Sequence, residues 1–316
     1  MRRRDFLKST IAAGLAAQIT GPLPTPIQMH TYQPLPKRYF KNEVSLSILG
    51  FGGIVVLGQS QKKASTMIAE VVDRGINYFD VAPAYGDGEA EEKLGPALQP
   101  YRQSIFLACK TMHRDVKGTQ KELDRSLKRL RTDHFDLYQF HAVTTMDEVN
   151  QIFAQDGAVE TFLKAREEGK IRFIGFSAHS EEAALAMMER FQFDSILFPV
   201  NFVCYAQGNF GPRVLQRAKE KGVARLALKP LAYSPWPKGA QHTHPKCWYK
   251  PIDDPALALQ SLRFTLSEDV TAALPPGDEN LFRLALETAP SFTPMTVEER
   301  NVLLASTKGR EPLFKI

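Results

Sequence analysis

The sequence predicts a single α/β domain of the (β/α)8, or TIM-barrel, type, and three observations carry that expectation. From about residue 45 onward, eight short apolar runs alternate with amphipathic segments, the pattern of a parallel sheet whose crossovers are helices. Eight is also the strand number that closes such a sheet on itself. No Gly-x-Gly-x-x-Gly follows any run, so the phosphate turn expected of the rival doubly wound sheet is missing. A length of 316 residues suits one barrel.

In chain order, the first element precedes the fold. Met1, Arg2, Arg3, Arg4, Asp5, Phe6, Leu7 and Lys8 contain Arg-Arg-x-Phe-Leu-Lys, followed by a mildly apolar stretch over residues 11–17 with small residues at Gly14, Ala16 and Ala17. This resembles a twin-arginine export signal, and the apolar stretch is far too short to span a bilayer. The resemblance implies a signal peptide over residues 1–21, the twin-arginine translocase as a partner during export, and a periplasmic or other extracytoplasmic location without stable membrane insertion. Residues 22–36 hold five prolines and read as a linker into a body spanning 37–316. Without the leader's four cations and one carboxylate, the formal charge drops from +5 to +2, which gives no electrostatic footprint for nucleic acid. Cys109, Cys204 and Cys247 are odd in number and far apart; they form no disulfide framework.

Within the body, residues 39–53 lead into the first strand, either as an ordinary loop or as a hairpin plugging the barrel bottom. The strand-like runs cover 46–53, 78–82, 105–110, 135–141, 171–177, 195–201, 225–231 and 270–274. Between them, Ala64, Met67, Ile68, Val71 and Val72 follow the spacing of one buried helical face, as do Leu123, Leu127 and Leu130. Gly75, Gly169 and Gly222 stand where left-handed residues would end helices.

In such a barrel the carboxyl ends of the strands build the active site. Those ends supply Asp80, Lys110, His141, Ser177, Asn201 and Lys229. A lone lysine or histidine there is more often structural, but six converging polar positions are hard to explain by packing.

The stretch Gly75-Ile76-Asn77-Tyr78-Phe79-Asp80-Val81-Ala82-Pro83-Ala84-Tyr85-Gly86, then Glu91, Leu94 and Gly95, then Lys110 and His141 ending the third and fourth strands, resembles the aldo-keto reductase family over residues 37–289. The resemblance implies an NAD(P)-dependent oxidoreductase that moves a hydride between nicotinamide and a carbonyl or alcohol. Tyr85 would be the proton donor in reduction and the base in oxidation. A phenol with a reference pKa of about 10 needs tuning for that task; Lys110 would lower its pKa, Asp80 would hold Lys110, and neutral His141 would orient the substrate oxygen.

The same resemblance places the cofactor against Ser177, Asn201, Lys229, Pro230, Leu231, Gly277 and Arg283. Ala178 stands where the family has asparagine. Asp278 would either repel a 2′-phosphate or cap a helix, so NADP and NAD both stay open. Residues 233–251 carry Trp236, His242, His244, Cys247, Trp248 and Tyr249; they read as a substrate loop, not a metal site. Its aromatics suit a sugar-like compound, and export implies a cofactor bound tightly before transit. Two other classes are open: a nicotinamide-nucleotide sensor without turnover, and a glycoside hydrolase using Asp80 and Glu91.

Overall fold

The computed structural model describes residues 33–42 and 44–316; the expected signal peptide at 1–21 lies outside the described residues. A hairpin comes first, β1 (Lys37–Lys41) against β2 (Val44–Ser47). The barrel strands are β3 (Phe51–Gly52), β4 (Tyr78–Asp80), β5 (Phe106–Thr111), β6 (Phe135–Val143), β7 (Ile171–Ala178), β8 (Ser195–Pro199), β9 (Ala224–Leu228) and, after a small antiparallel pair of β10 (Ala232–Ser234) and β11 (Lys250–Pro251), β12 (Ala272–Leu274). The eight barrel strands are parallel and ordered as in the chain. A parallel bridge between Leu49 and Ala273, with Gly50 N donating to Ala273 O at 2.9 Å, joins the last strand to the first. The expected barrel is therefore closed.

Helices α1 (Gln61–Asp73), α2 (Glu89–Leu98), α3 (Val116–Arg129), α4 (Met146–Ile152), α5 (Ala158–Glu167), α6 (Glu181–Arg190), α7 (Phe202–Gly208), α8 (Pro212–Glu220), α9 (Pro255–Ser267), α10 (Glu279–Thr288) and α11 (Val297–Ala305) follow along the chain. Their apolar stripes meet the outer face of the strands. On α1, Ala64, Met67, Ile68 and Val71 are buried, as the spacing predicts, while Val72 is half-buried. Gly75, Gly169 and Gly222 have φ of 94°, 74° and 66°, the left-handed terminators expected of them.

The residues before the first strand form a plug. Phe40 and Leu46 of the hairpin join Tyr78, Phe106, Leu137, Phe173, Leu197 and Leu226 in one buried interior cluster. Phe40 meets Phe106 and Phe173 edge-on at 5.1 and 5.3 Å between ring centroids. The apolar run at 46–53 thus divides, its start pairing in the hairpin, Leu49 bridging to the last strand and Phe51–Gly52 forming the first barrel strand. Among the described residues no helix is long and apolar enough to cross a membrane.

Candidate active site

Side chains two apart on a strand share a face, and each inward row runs from apolar to polar. Tyr78 precedes Asp80 on β4, Phe106 and Ala108 precede Lys110 on β5, and Leu137 and Gln139 precede His141 on β6. Phe173 and Gly175 precede Ser177 on β7. The apolar members fill the barrel. The polar ends Asp80, Lys110, His141 and Ser177 line a cavity of about 190 Å³ together with Tyr85 from the loop after β4.

Lys110 organises the group. Its ammonium donates to an Asp80 carboxylate oxygen and, at 2.9 Å, to the Tyr85 hydroxyl. Lys110 and Asp80 are both 1% exposed. The other Asp80 oxygen accepts from Gln139 Nε2 at 3.1 Å and from the Tyr78 hydroxyl at 3.3 Å. The Tyr85 and His141 rings meet edge-on, 5.8 Å apart.

The electrostatics follow from burial and charge. Burial alone would lower the Lys110 pKa, but Asp80 and then Tyr85 outweigh it and hold the ammonium above its ordinary value. For Tyr85, burial pushes the phenol up and Lys110 pulls it down; the net direction is upward, with Asp80 adding to the rise. Lys110 thus pulls the phenol down as expected of it, but desolvation exceeds that pull. Burial, followed by the Lys110 charge, holds His141 well below its ordinary value, so its imidazole is neutral. Its Nδ1 is buried without a hydrogen-bond partner.

The backbone around His141 is fixed from two sides. Arg114 Nη2 donates to His141 O at 2.6 Å, and Ser177 Oγ accepts from Ala142 N at 2.8 Å. Ala142 itself has φ of 53°, at the point where the β6–β7 register shifts.

Lys229 and Gly277 also line the cavity. Lys229 Nζ sits 3.0 Å from His179 Nε2. Burial, reinforced by the Lys110 charge, lowers the Lys229 pKa to about 8, and burial followed by the Lys229 charge lowers that of His179 to about 3. The imidazole is therefore neutral and accepts from the ammonium.

Four expected residues lie elsewhere. Asn201 caps α7, its Oδ1 accepting from Cys204 N at 2.9 Å, while its Nδ2 is buried without a partner. Pro230 O accepts from the Ser261 hydroxyl, and Leu231 is buried with its carbonyl accepting from Ile252 N at 2.8 Å. Arg283 reaches Glu70 at 2.8 Å and Glu279 at 3.3 Å, beside a separate surface cavity. Two carboxylates hold its guanidinium away from the tetrad. Asp278 is the N-cap of α10, accepting from Asn280 N at 3.0 Å and Leu281 N at 3.2 Å.

The loop between β10 and β11 contributes more than the sequence indicates. Lys246, Trp248 and Tyr249 line the cavity, and Lys246 Nζ donates to Val55 O at 2.8 Å. His242 stacks on Trp236 at 4.7 Å, whereas His244 faces Asp253 and Asp278 at 3.4 and 3.3 Å. Among the described residues no three potential ligands gather for a metal. Gln139 and His179 were not singled out from sequence. Period-two alternation back from His141 identifies Gln139, but nothing local marks His179.

The donor set fits a nicotinamide nucleotide. Ser177 offers a hydroxyl and Lys246 an ammonium, both from the cavity lining. At Gly277 an added Cβ would stand 2.2 Å from Ile54 Cγ2, so the absence of a side chain keeps that wall of the cavity thin.

Comparisons with known proteins agree with this fold. The family model described as "Aldo/keto reductase family" matches residues 49–248. An uncharacterised oxidoreductase, YqkF of Bacillus subtilis, is 34% identical over 43% of this chain and 46% of its own length. L-galactose dehydrogenase of Arabidopsis thaliana is 27% identical over 60% of this chain and 63% of its own length. The chain thus spans less than two thirds of either curated relative. An aldo-keto reductase from Bacillus halodurans, solved in a holo form, superposes with a TM-score of 0.70 at 27% identity, covering 88% of this chain and 98% of that one.

Proposed function

The chain belongs to the aldo/keto reductase family, and from that premise we propose that it is an NAD(P)-dependent oxidoreductase acting on a carbonyl–alcohol pair, with Tyr85 as the general acid and base. The observation that carries this reading is the Lys110 ammonium held between the Asp80 carboxylate and the Tyr85 hydroxyl at the carboxyl end of the barrel.

The nicotinamide, when bound, supplies or accepts the hydride. Ser177 and the 275–277 loop, which line the cavity, are the groups that would hold it. The protein's own part is proton handling. Burial keeps Tyr85 protonated at neutral pH, which is the form a proton donor needs. Negative charge developing on the substrate oxygen draws the Tyr85 proton, and the phenolate left behind is stabilised by the Lys110 ammonium at 2.9 Å. Asp80, fixed by Gln139 and Tyr78, keeps that ammonium in place. Neutral His141 donates a hydrogen bond to the same oxygen and orients it.

The hydrolase reading finds no support in the carboxylates. Asp80 is tied to Lys110, while Glu91 faces Arg129 at 3.2 Å in the helical layer.

A sugar-like substrate is supported by the aromatic rim at Trp248 and Tyr249 and by the sugar named for the Arabidopsis relative. Export through the twin-arginine pathway, with the nucleotide loaded beforehand, rests on the leader's resemblance. The test is oxidation of NADPH or NADH, followed by absorbance, against a panel of aldehydes and ketones, with wild type and Tyr85→Phe side by side. Turnover by the wild type that collapses in the variant supports the reading; equal rates in both would overturn it. Native mass spectrometry of the exported form should find nucleotide retained stoichiometrically; a nucleotide-free protein with weak rebinding would overturn the loading proposal.

A further inference from the structure

Three ammonium groups line the cavity, and two of them are answered by the protein. Lys110 is paired with Asp80. Lys246 donates to Val55 O and lies in the field of Asp278 and Glu279. Lys229 differs: it is 9% exposed, and among the described residues no carboxylate pairs with it. Its hydrogen-bond partner is His179 Nε2 at 3.0 Å, and the Trp248 and Phe314 rings flank the ammonium with centroids 5.4 and 5.6 Å away. Phe314 in turn stacks on His179 at 5.4 Å, with ring planes 9° apart.

This is an unusual way to keep a cation. A buried charge normally carries a paired counter-charge, since desolvation is otherwise uncompensated. The backbone also holds Lys229 at φ of 60°, a left-handed conformation that a residue with a side chain rarely adopts and that tends to occur at functional sites. Neutral imidazole on one side and aromatic faces on the others orient the ammonium without cancelling its charge. Such an arrangement leaves the counter-ion to be brought by a ligand.

We propose that the Lys229–His179 pair is a receptor for a carboxylate on the substrate, so that the preferred substrates are acidic carbonyl compounds, with the carbonyl at Tyr85 and the carboxylate on Lys229. The proposal rests on the oxidoreductase reading for the carbonyl end only. Tyr85, His141 and Lys229 line the same cavity, so the carbonyl end and the ammonium face one enclosed space. His179 acts as a positioning residue, accepting from the ammonium and holding it toward the cavity. The same anionic-oxygen chemistry is carried by the pyrophosphate of a nicotinamide nucleotide, and the experiment separates the two sources.

Binding of dicarboxylates from malonate to adipate, and of the matching diamides, is measured by calorimetry on the full chain in the presence of NADPH or NADH. Turnover is compared for succinic semialdehyde against butyraldehyde and for glucuronate against glucose. The wild type should favour the acid at least ten-fold in binding and in kcat/KM. Lys229→Met should lower that ratio at least ten-fold, and His179→Asp should do the same by supplying an internal counter-ion; Lys229→Arg should keep most of it. Should Lys229→Met not fold, the His179→Asp and Lys229→Arg pair decides alone. No preference for carboxylate in the wild type would overturn the proposal. So would a Lys229→Met variant that loses ten-fold in nucleotide affinity yet keeps its acid-to-neutral ratio, since the ammonium would then belong to the pyrophosphate. Carboxylate binding that depends on Lys229 in a protein that turns over no carbonyl would uphold the receptor and remove the oxidoreductase reading instead.

Discussion

Lys110 serves two partners at once, and the consequences of removing it differ for each. Lys110→Met would strand the Asp80 carboxylate in a site 1% exposed, and breaking a buried pair from one side costs about 3–5 kcal/mol. Denaturant titration should show that loss, and the double variant Asp80→Asn with Lys110→Met should recover part of it. Tyr85→Phe removes one hydrogen bond from a half-buried ring. Its stability should barely move, while kcat for carbonyl reduction should fall roughly 10²–10⁴-fold, the usual contribution of a positioned general acid. His179 makes a pH prediction. Its pKa falls from 6.5 unfolded to about 3 folded, so between those values the unfolded chain binds more protons and stability rises with pH. The contribution is full above pH 6.5 and is lost as pH falls toward 3; His179→Gln should flatten the acid limb of a melting-temperature profile. Asp80, Lys110 and His141 were readable because each ends an apolar run. The direction of the Tyr85 shift was not, since desolvation depends on packing that arrives from distant segments.

At the scale of elements, the Glu-x-x-Leu-Gly pattern on α2 has a mechanical basis. Glu91 is fully buried and faces Arg129, Leu94 is buried in the helix–strand core, and Gly95 lets the helix approach the end of α3. A Cβ at Gly95 would stand 2.2 Å from the Arg129 carbonyl oxygen, and backbone yields little. Gly95→Ala should therefore destabilise by about 1–3 kcal/mol, the usual cost of overpacking, and thermal unfolding would register it. Helix spacing and glycine terminators made α1 and α3 legible, because the signals are local. The hairpin stayed ambiguous because two short strands look like a loop until Phe40 is seen against Phe106 and Phe173. The setting of Arg283 was hidden for a related reason: its partners Glu70 and Glu279 come from two helices, and one of those pairings is invisible along the chain. Asp278 took the capping role left open for it.

For the whole molecule, closure and the plug set stability together. The barrel seam rests on Leu49 opposite Ala273, and at Gly50 an added Cβ would lie 2.4 Å from Tyr78 Cδ1. Phe40 seals the opposite end from the cavity, where it is 4% exposed. Phe40→Ala should cost about 3–5 kcal/mol, read as a lowered melting temperature, while KM for any substrate stays near the wild-type value because the cavity lies at the other end. The barrel as such was legible from eight runs and a missing phosphate turn. Which residues belong to its floor was not, because that floor comes from a segment outside the repeating pattern.

That floor also governs traffic. With one end packed by Phe40, Leu46 and the aromatic layer above them, molecules come to Tyr85 from the other end, where the exposed Trp248 lines the cavity. Two ligands sharing such a vessel cannot pass one another freely. The one seated deeper should then arrive first and depart last, a queue set by the floor of the barrel, far from any reacting atom, and read from product-inhibition patterns.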